Sequence, residues 1–249
     1  MTSEAWELFV KARNRYRSEI KRIIRRMPEL QSIQQRLVDS RSPSYVVETP
    51  IVYNKALDEV QEDSDIRLIL VADNPGRREQ AAENRRYLVG PSGKIAEKFF
   101  RDNPLFNINF RSNVIILNKT PMHTPRTVEL KALCQLGGQS LEDALVRSQQ
   151  CMARLLLEFH QALSGMNGTA MPVWITGYSE MKKGGVFEGY THELKTIYRE
   201  TPLRDFVFLF RHFSMNQFTI DLKQQATPGE TPPQTLKRIG AAYRNKFLW

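Results

Sequence analysis

Four short, nearly continuous apolar runs constrain this chain more tightly than any of its other features. They are Ile66–Ala72 (I-R-L-I-L-V-A), Asn113–Leu117 (N-V-I-I-L), Pro172–Thr176 (P-V-W-I-T) and Phe206–Phe210 (F-V-F-L-F). A strand with one wet face alternates apolar and polar residues. A run without that alternation needs apolar cover on both faces, as a strand inside a parallel sheet has. Helical patterns separate the runs. Ser92–Arg101 is one; Ser140–Leu163 is another, with Leu141, Leu145, Met152, Leu155, Leu156 and Phe159 on its apolar face. A last helix is predicted to begin at Thr231-Pro232-Pro233-Gln234, which offers a capping Thr, Pro at the first helical position and Gln three residues after the cap. Alternating strand and helix predicts an α/β fold: a three-layer α/β/α sandwich around a central, mostly parallel four-stranded sheet.

The first forty residues read as helix. Trp6, Phe9, Val10, Tyr16, Ile20, Ile23, Ile24 and Met27 recur mostly at spacings of three and four. Between them lie Lys11, Arg13, Arg15, Arg17, Lys21, Arg22, Arg25 and Arg26. The pattern predicts a helix packed on the core with a solvated basic face; the alternative is that this face helps to hold DNA. Ser40–Pro50 reads as a linker. The chain therefore divides into a basic helical extension over 1–45 and an α/β domain over 46–249.

Lys and Arg total 36 against 27 Asp and Glu, a net charge of +9, which favours a polyanionic partner such as nucleic acid. The two cysteines, Cys134 and Cys151, are too few for an all-cysteine zinc site or an all-thiolate iron–sulfur cluster, and they suggest no disulfide framework. There is no apolar leader and no run of eighteen apolar residues. These features predict a chain that is neither secreted nor membrane-spanning and that works in the cytoplasm, or in the nucleus of a eukaryote.

In an open α/β sheet ligands bind beyond the carboxyl ends of the strands, so the residues there carry the chemistry. After the first run comes Ala72-Asp73-Asn74-Pro75-Gly76, a turn that projects Asp73 and Asn74 from the sheet edge. Farther on, Tyr87-Leu88-Val89-Gly90-Pro91-Ser92-Gly93-Lys94 leads into a helix, with Ser92 as a possible cap. Its small residues let a ligand or phosphate approach the backbone, but it lacks the spacing of a P-loop. After the second run comes Asn118, whose amide presents a donor and an acceptor together. After the fourth comes Arg211-His212-Phe213-Ser214-Met215-Asn216, where His212 can donate a hydrogen bond to a developing anion. Each piece alone reads as an ordinary turn, cap or rim residue.

Together, in this order, the four pieces resemble the uracil-DNA glycosylase superfamily over roughly 66–216. Ala72–Gly76 is similar to that family's first motif, Arg86–Gly93 to the R-P-F-V-G-x-A-G phrase of its iron–sulfur branch, Ile115–Asn118 to its uracil-reading strand, and His212–Asn216 to its H-P-S motif. The departures are Ala72 for Gly, Leu88 for the base-stacking Phe and Phe213 for Pro. The cluster cysteines of the iron–sulfur branch are also missing.

The resemblance implies a monomeric hydrolase of the base–sugar bond in DNA, without metal or cofactor, acting on a base flipped out of the stack. It implies that Asn118 reads the Watson–Crick edge, that Leu88 or the adjacent Tyr87 contacts the base face, and that His212 donates to uracil O2. It further implies that Asn74 positions the attacking water while Asp73 supplies negative charge or weak base character. The alternative for Asp73 is a carboxylate tied up by Arg77 or Arg78. DNA contacts are expected from Ser92, Ser214, Arg77, Arg78 and a wedge at Met215 and Asn216, the alternative being that Met215 is core. His123 is expected near the pocket mouth and His160 in a structural role. Two other readings stay open: a nucleic-acid-binding protein that keeps the fold with weak or no excision, and a small-molecule α/β enzyme.

Overall fold

The four runs form β1 (Leu68–Ala72), β2 (Val114–Asn118), β3 (Val173–Thr176) and β4 (Val207–Phe210), every residue of them buried. In the computed structural model, which describes residues 1–40, 43–164 and 170–249, they make one all-parallel sheet in the order β2-β1-β3-β4. Because side chains alternate along a strand, each run feeds two cores. Ile69, Val71, Ile115, Leu117, Val173, Ile175, Val207 and Leu209 face one layer of helices. Leu68, Leu70, Val114, Ile116, Trp174, Phe208 and Phe210 face the other. The first layer holds α1 (Ser3–Arg26), α2 (Leu30–Asp39), α5 (Glu129–Leu163) and α6 (Glu188–Tyr198). The second holds α4 (Pro91–Asp102), α7 (Gln217–Gln224) and α8 (Pro232–Phe247). A one-turn helix, α3 (Arg77–Gln80), follows β1. This is the three-layer α/β/α arrangement the runs predict. Among the described residues no helix is long and apolar enough to cross a membrane.

The N-terminal forty residues are two helices rather than one. Pro28 has no N–H to donate and pushes Met27 out of helical geometry, to φ −138° and ψ 66°. Segment 1–45 is also more than an appendage: Phe9, Tyr16, Ile20, Leu30 and Leu37 belong to the core beneath α5, with the Phe9 and Phe159 rings 5.3 Å apart. The Ser40–Pro50 stretch is pinned by glutamines, apart from Arg41 and Ser42, which lie outside the described residues. Gln35 donates to the Tyr45 carbonyl (2.9 Å) and accepts from Val47 N–H (2.8 Å). Gln80 accepts from Glu48 N–H (2.7 Å) and donates to the Val46 carbonyl (3.1 Å). Reading the stretch by its Ser and Pro content misses these bonds, because their partners come from α2 and α3.

Helix α5 begins at Glu129, eleven residues before the apolar stripe predicts, and it kinks at Gly138 (φ 67°). Helix α8 carries the predicted cap, with Thr231 and Gln234 bonded reciprocally. Helix α4 does not use Ser92 as its cap. Gly90 is the N-cap, Pro91 takes the first helical position and Ser92 the second. The reason lies in the approach of the loop: a Cβ on Gly93 would sit 1.5 Å from the Leu88 carbonyl oxygen, so only glycine admits this packing.

Candidate functional site

With β1 in the interior of the sheet, the chain leaves it toward β2 on one side and returns to β3 on the other. The topological switch point thus lies at the carboxyl ends of β1 and β3, the place where open α/β sheets bind ligands. Asp73 stands there. Its carboxylate pairs with Lys119 Nζ at 2.5 Å and accepts a hydrogen bond from the Thr127 hydroxyl at 3.2 Å. Lys119 is fully buried, donates also to the Thr176 carbonyl (2.5 Å) and lies 4.9 Å from the centre of the Phe187 ring. Burial pulls its ammonium pKa below the usual lysine value, while Asp73 and then Glu180 act to raise it. Gly177, at φ 77°, ends β3; a Cβ there would meet Asp73 Oδ1 at 2.5 Å. The absence of a side chain is what lets the carboxylate rest against the strand end.

The partner of Asp73 is thus Lys119 and not the arginines of the turn. Arg77 and Arg78 are exposed, and Arg77 stacks over the Tyr45 ring at 4.7 Å. Asn74 donates through Nδ2 to Thr124 Oγ1 (2.9 Å), which leaves Oδ1 without a protein partner among the described residues and available to accept from water.

Asn118 closes β2, opposite Ala72 in the register. It is only 1% exposed, and neither its amide oxygen nor its amide nitrogen has a hydrogen-bond partner among the described residues. Buried polar groups are nearly always paired, and leaving one unpaired costs about 1–3 kcal/mol. An amide with both ends free at a strand terminus has a donor and an acceptor to offer a buried water or a ligand.

His212 follows β4. Its Nδ1 accepts from the Ser214 backbone N–H at 3.0 Å. A ring nitrogen that accepts carries no proton, so the proton of the neutral ring lies on Nε2, which makes no bond to protein among the described residues. Burial lowers the His212 pKa, with Asp73 raising it and Lys119 lowering it. The imidazole is thus kept neutral, with a donor to spare, within electrostatic reach of the Asp73–Lys119 pair. Phe213 stacks on Phe218 at 4.5 Å and helps to anchor the loop. Beyond it Met215 is 82% exposed, and both Met215 (φ 55°) and Asn216 (φ 57°) are left-handed. Met215 is therefore not a core residue, and its loop holds it outward at a backbone cost that only glycine would escape.

The 87–93 loop departs from expectation. Tyr87 is buried in the core; its hydroxyl donates to the Val52 carbonyl (2.7 Å) and meets the Tyr16 hydroxyl. It does not substitute for a base-stacking ring, because its hydrogen bonds draw it under α1. Leu88 is 4% exposed and left-handed (φ 53°), its carbonyl held by Arg111 at 3.0 Å. Ser92 is half-buried in the first turn of α4. His123 is a buried strut: its Nδ1–H donates to the Pro75 carbonyl (2.8 Å), so Nε2 accepts from the Tyr45 hydroxyl (2.8 Å). Burial takes its pKa down to about 4. His160 is also buried, bonded to the Tyr198 hydroxyl.

Sequence reasoning passes over Lys119 and Glu79, which look like turn and surface residues until the fold buries them. Glu79 accepts the backbone N–H of Gly76 (3.0 Å) and those of Leu88, Val89 and Gly90, tying the first motif to the 87–93 loop. Burial outweighs these donors and raises its pKa to about 7. The folded state thus holds an extra proton between about pH 4.5 and 7. Its stabilising effect is full below that window and is lost as pH rises through it. His123 acts oppositely, losing stability as pH falls from about 6.5 to 4. Replacing Glu79 with Gln should therefore raise stability relative to wild type by about 3 kcal/mol more at pH 8 than at pH 5, read from urea midpoints. A difference independent of pH would mean that Glu79 ionises as an ordinary carboxylate.

No protein-family model matches the chain, and no curated protein matches it either.

Proposed function

We propose that this chain is a DNA glycosylase that hydrolyses the N-glycosidic bond of a flipped uracil or a related deaminated base. The observation that carries the reading is the buried, doubly unpaired amide of Asn118. Uracil offers N3–H as a donor and O4 as an acceptor, so one amide satisfies both. Cytosine offers the reverse, a pattern the amide matches only when flipped about its Cβ–Cγ bond, so rejecting it falls to whatever fixes the amide in the surrounding pocket. Bond cleavage sends the electron pair of the C1′–N1 bond to the base, where His212 Nε2–H donates to O2 as it becomes anionic. The sugar becomes oxocarbenium-like, and a water accepted by Asn74 Oδ1 adds to C1′ and releases its proton to solvent. Asp73, neutralised by Lys119, holds the turn and tempers the field rather than acting as a free base. The reading places the chain with DNA as a monomer, in the cytoplasm or nucleus.

A second reading keeps the fold and DNA binding without efficient excision. It is favoured by the 87–93 loop, where Tyr87 is buried and Leu88 offers no ring, so a flipped base would lack an aromatic partner. Excision from labelled oligonucleotides carrying one uracil, single-stranded or opposite G or A, separates the two. Release by the wild-type chain, reduced about 10–100-fold by Asn118→Ala, is the expected outcome. Intact, salt-sensitive DNA binding with no release from uracil or hypoxanthine would support the binding reading instead.

A further inference from the structure

The basic residues of α1 do not form one uniform face. Arg13 donates to the Leu57 carbonyl (3.3 Å) and Arg17 pairs with Asp58 (2.7 Å); both fasten the helix to the 55–58 turn. Arg15, Arg22 and Arg26 instead line a groove of about 290 Å³ between α1 and α5, joined from α5 by Arg147 and Arg154. Among the described residues the only carboxylate lining it is Glu19, paired with Arg22. Arg15 and Arg154 lean outward onto Glu158 and Glu193. Arg26 and Arg147 are exposed and have no acidic partner among the described residues. The floor is neutral, formed by Met27, Ala144 and Cys151, whose thiol burial keeps protonated.

Like charges gathered on one groove repel unless an anion lies among them, and guanidinium forks match phosphate oxygens. Arg15 to Arg26 covers eleven residues of helix, about 16 Å at 1.5 Å per residue. That is too long for one phosphate group and matches the axial length over which one strand of a duplex places about five phosphates, at about 3.4 Å of helix axis each. The groove also runs toward the proposed site. Arg15 faces Glu158 near the end of α5, while Met27 shares the floor with Ala144 near its kink, so α1 points to the carboxyl edge of the sheet. There Ser148, also in the groove wall, bonds the Thr120 hydroxyl (2.7 Å), two residues beyond Asn118.

Building on the glycosylase reading, we infer that this arginine-lined groove between α1 and α5 is a track for the DNA phosphate backbone outside the base pocket. The test is binding of an undamaged oligonucleotide by fluorescence anisotropy across a salt series. The double variant Arg26→Gln/Arg147→Gln is compared with Lys223→Gln/Lys237→Gln, a pair of exposed lysines on the helices of the opposite layer. The arginine pair should lower the slope of log affinity against log salt by about 1.4–1.8, for two lost phosphate contacts, and weaken binding roughly tenfold. Its melting temperature should match wild type, since both residues are exposed and unpaired. An unchanged slope, or an equal loss in the lysine pair, overturns the inference. Uracil release by wild type is scored separately, so a chain that excises but keeps its slope in the arginine variant refutes the track alone. A wild-type chain without salt-dependent DNA binding refutes both.

Discussion

Replacing Lys119 with Met should destabilise the protein by about 3–5 kcal/mol. The substitution keeps the apolar stem against Phe187 but leaves the Asp73 carboxylate buried with only the Thr127 hydroxyl for a partner among the described residues. Removing one member of a buried ion pair strands the other charge in a medium that solvates it poorly, which is the origin of that magnitude. The double variant Asp73→Asn/Lys119→Met should recover most of the loss, because it removes the stranded charge. Urea midpoints for the two single variants and the double variant measure the coupling directly. If the single Met variant is as stable as wild type, the pair does not hold the strand ends together, and Asp73 is free for another role. The same variant reports on the site: with Lys119 gone, burial alone opposes the effect of Asp73 in raising the His212 pKa.

His212→Ala should reduce uracil release by about 10²–10³-fold, the usual loss for one donor to a developing oxyanion. The structural basis is the tautomer. The Ser214 N–H occupies Nδ1, so the ring presents Nε2–H while remaining neutral. An imidazolium would have to protonate Nδ1 and surrender that bond, and burial already opposes the charge. The loss should fall on the chemical step rather than on DNA affinity, so single-turnover rates should drop while the dissociation constant for uracil-containing DNA holds. A variant that keeps the wild-type rate would remove His212 from the mechanism and leave Asn118 as the remaining support for the glycosylase reading.

Much of the architecture was legible in the chain. A strand buried on both faces must be apolar throughout, so all four strands stand out with ends within two residues of those found. The first motif, Asn118 and His212 could be placed at the carboxyl edge because a parallel sheet brings every strand terminus to one rim. The reciprocal bonds at Thr231 and Gln234 are local chemistry and needed no tertiary context. The break at Met27-Pro28 was equally local, written in the covalent structure of proline.

What tertiary structure alone decided were the pairings across the sequence. Asp73 has two arginines four and five residues away, yet its charge is met by Lys119, 46 residues distant, because the fold buries both against the end of β3 while the arginines stay in solvent. Tyr87 looks like a pocket residue beside Leu88, but its hydroxyl is drawn to Val52 and Tyr16 in the core. The arginines of α1 are alike in sequence; which of them fasten the helix and which line the groove depends on carboxylates and carbonyls brought from elsewhere. Periodicity reports which face a residue occupies, since that follows from the backbone repeat. What stands opposite that face is set by packing between distant segments, and burial there decides whether a charge or an amide is a turn residue or part of a site.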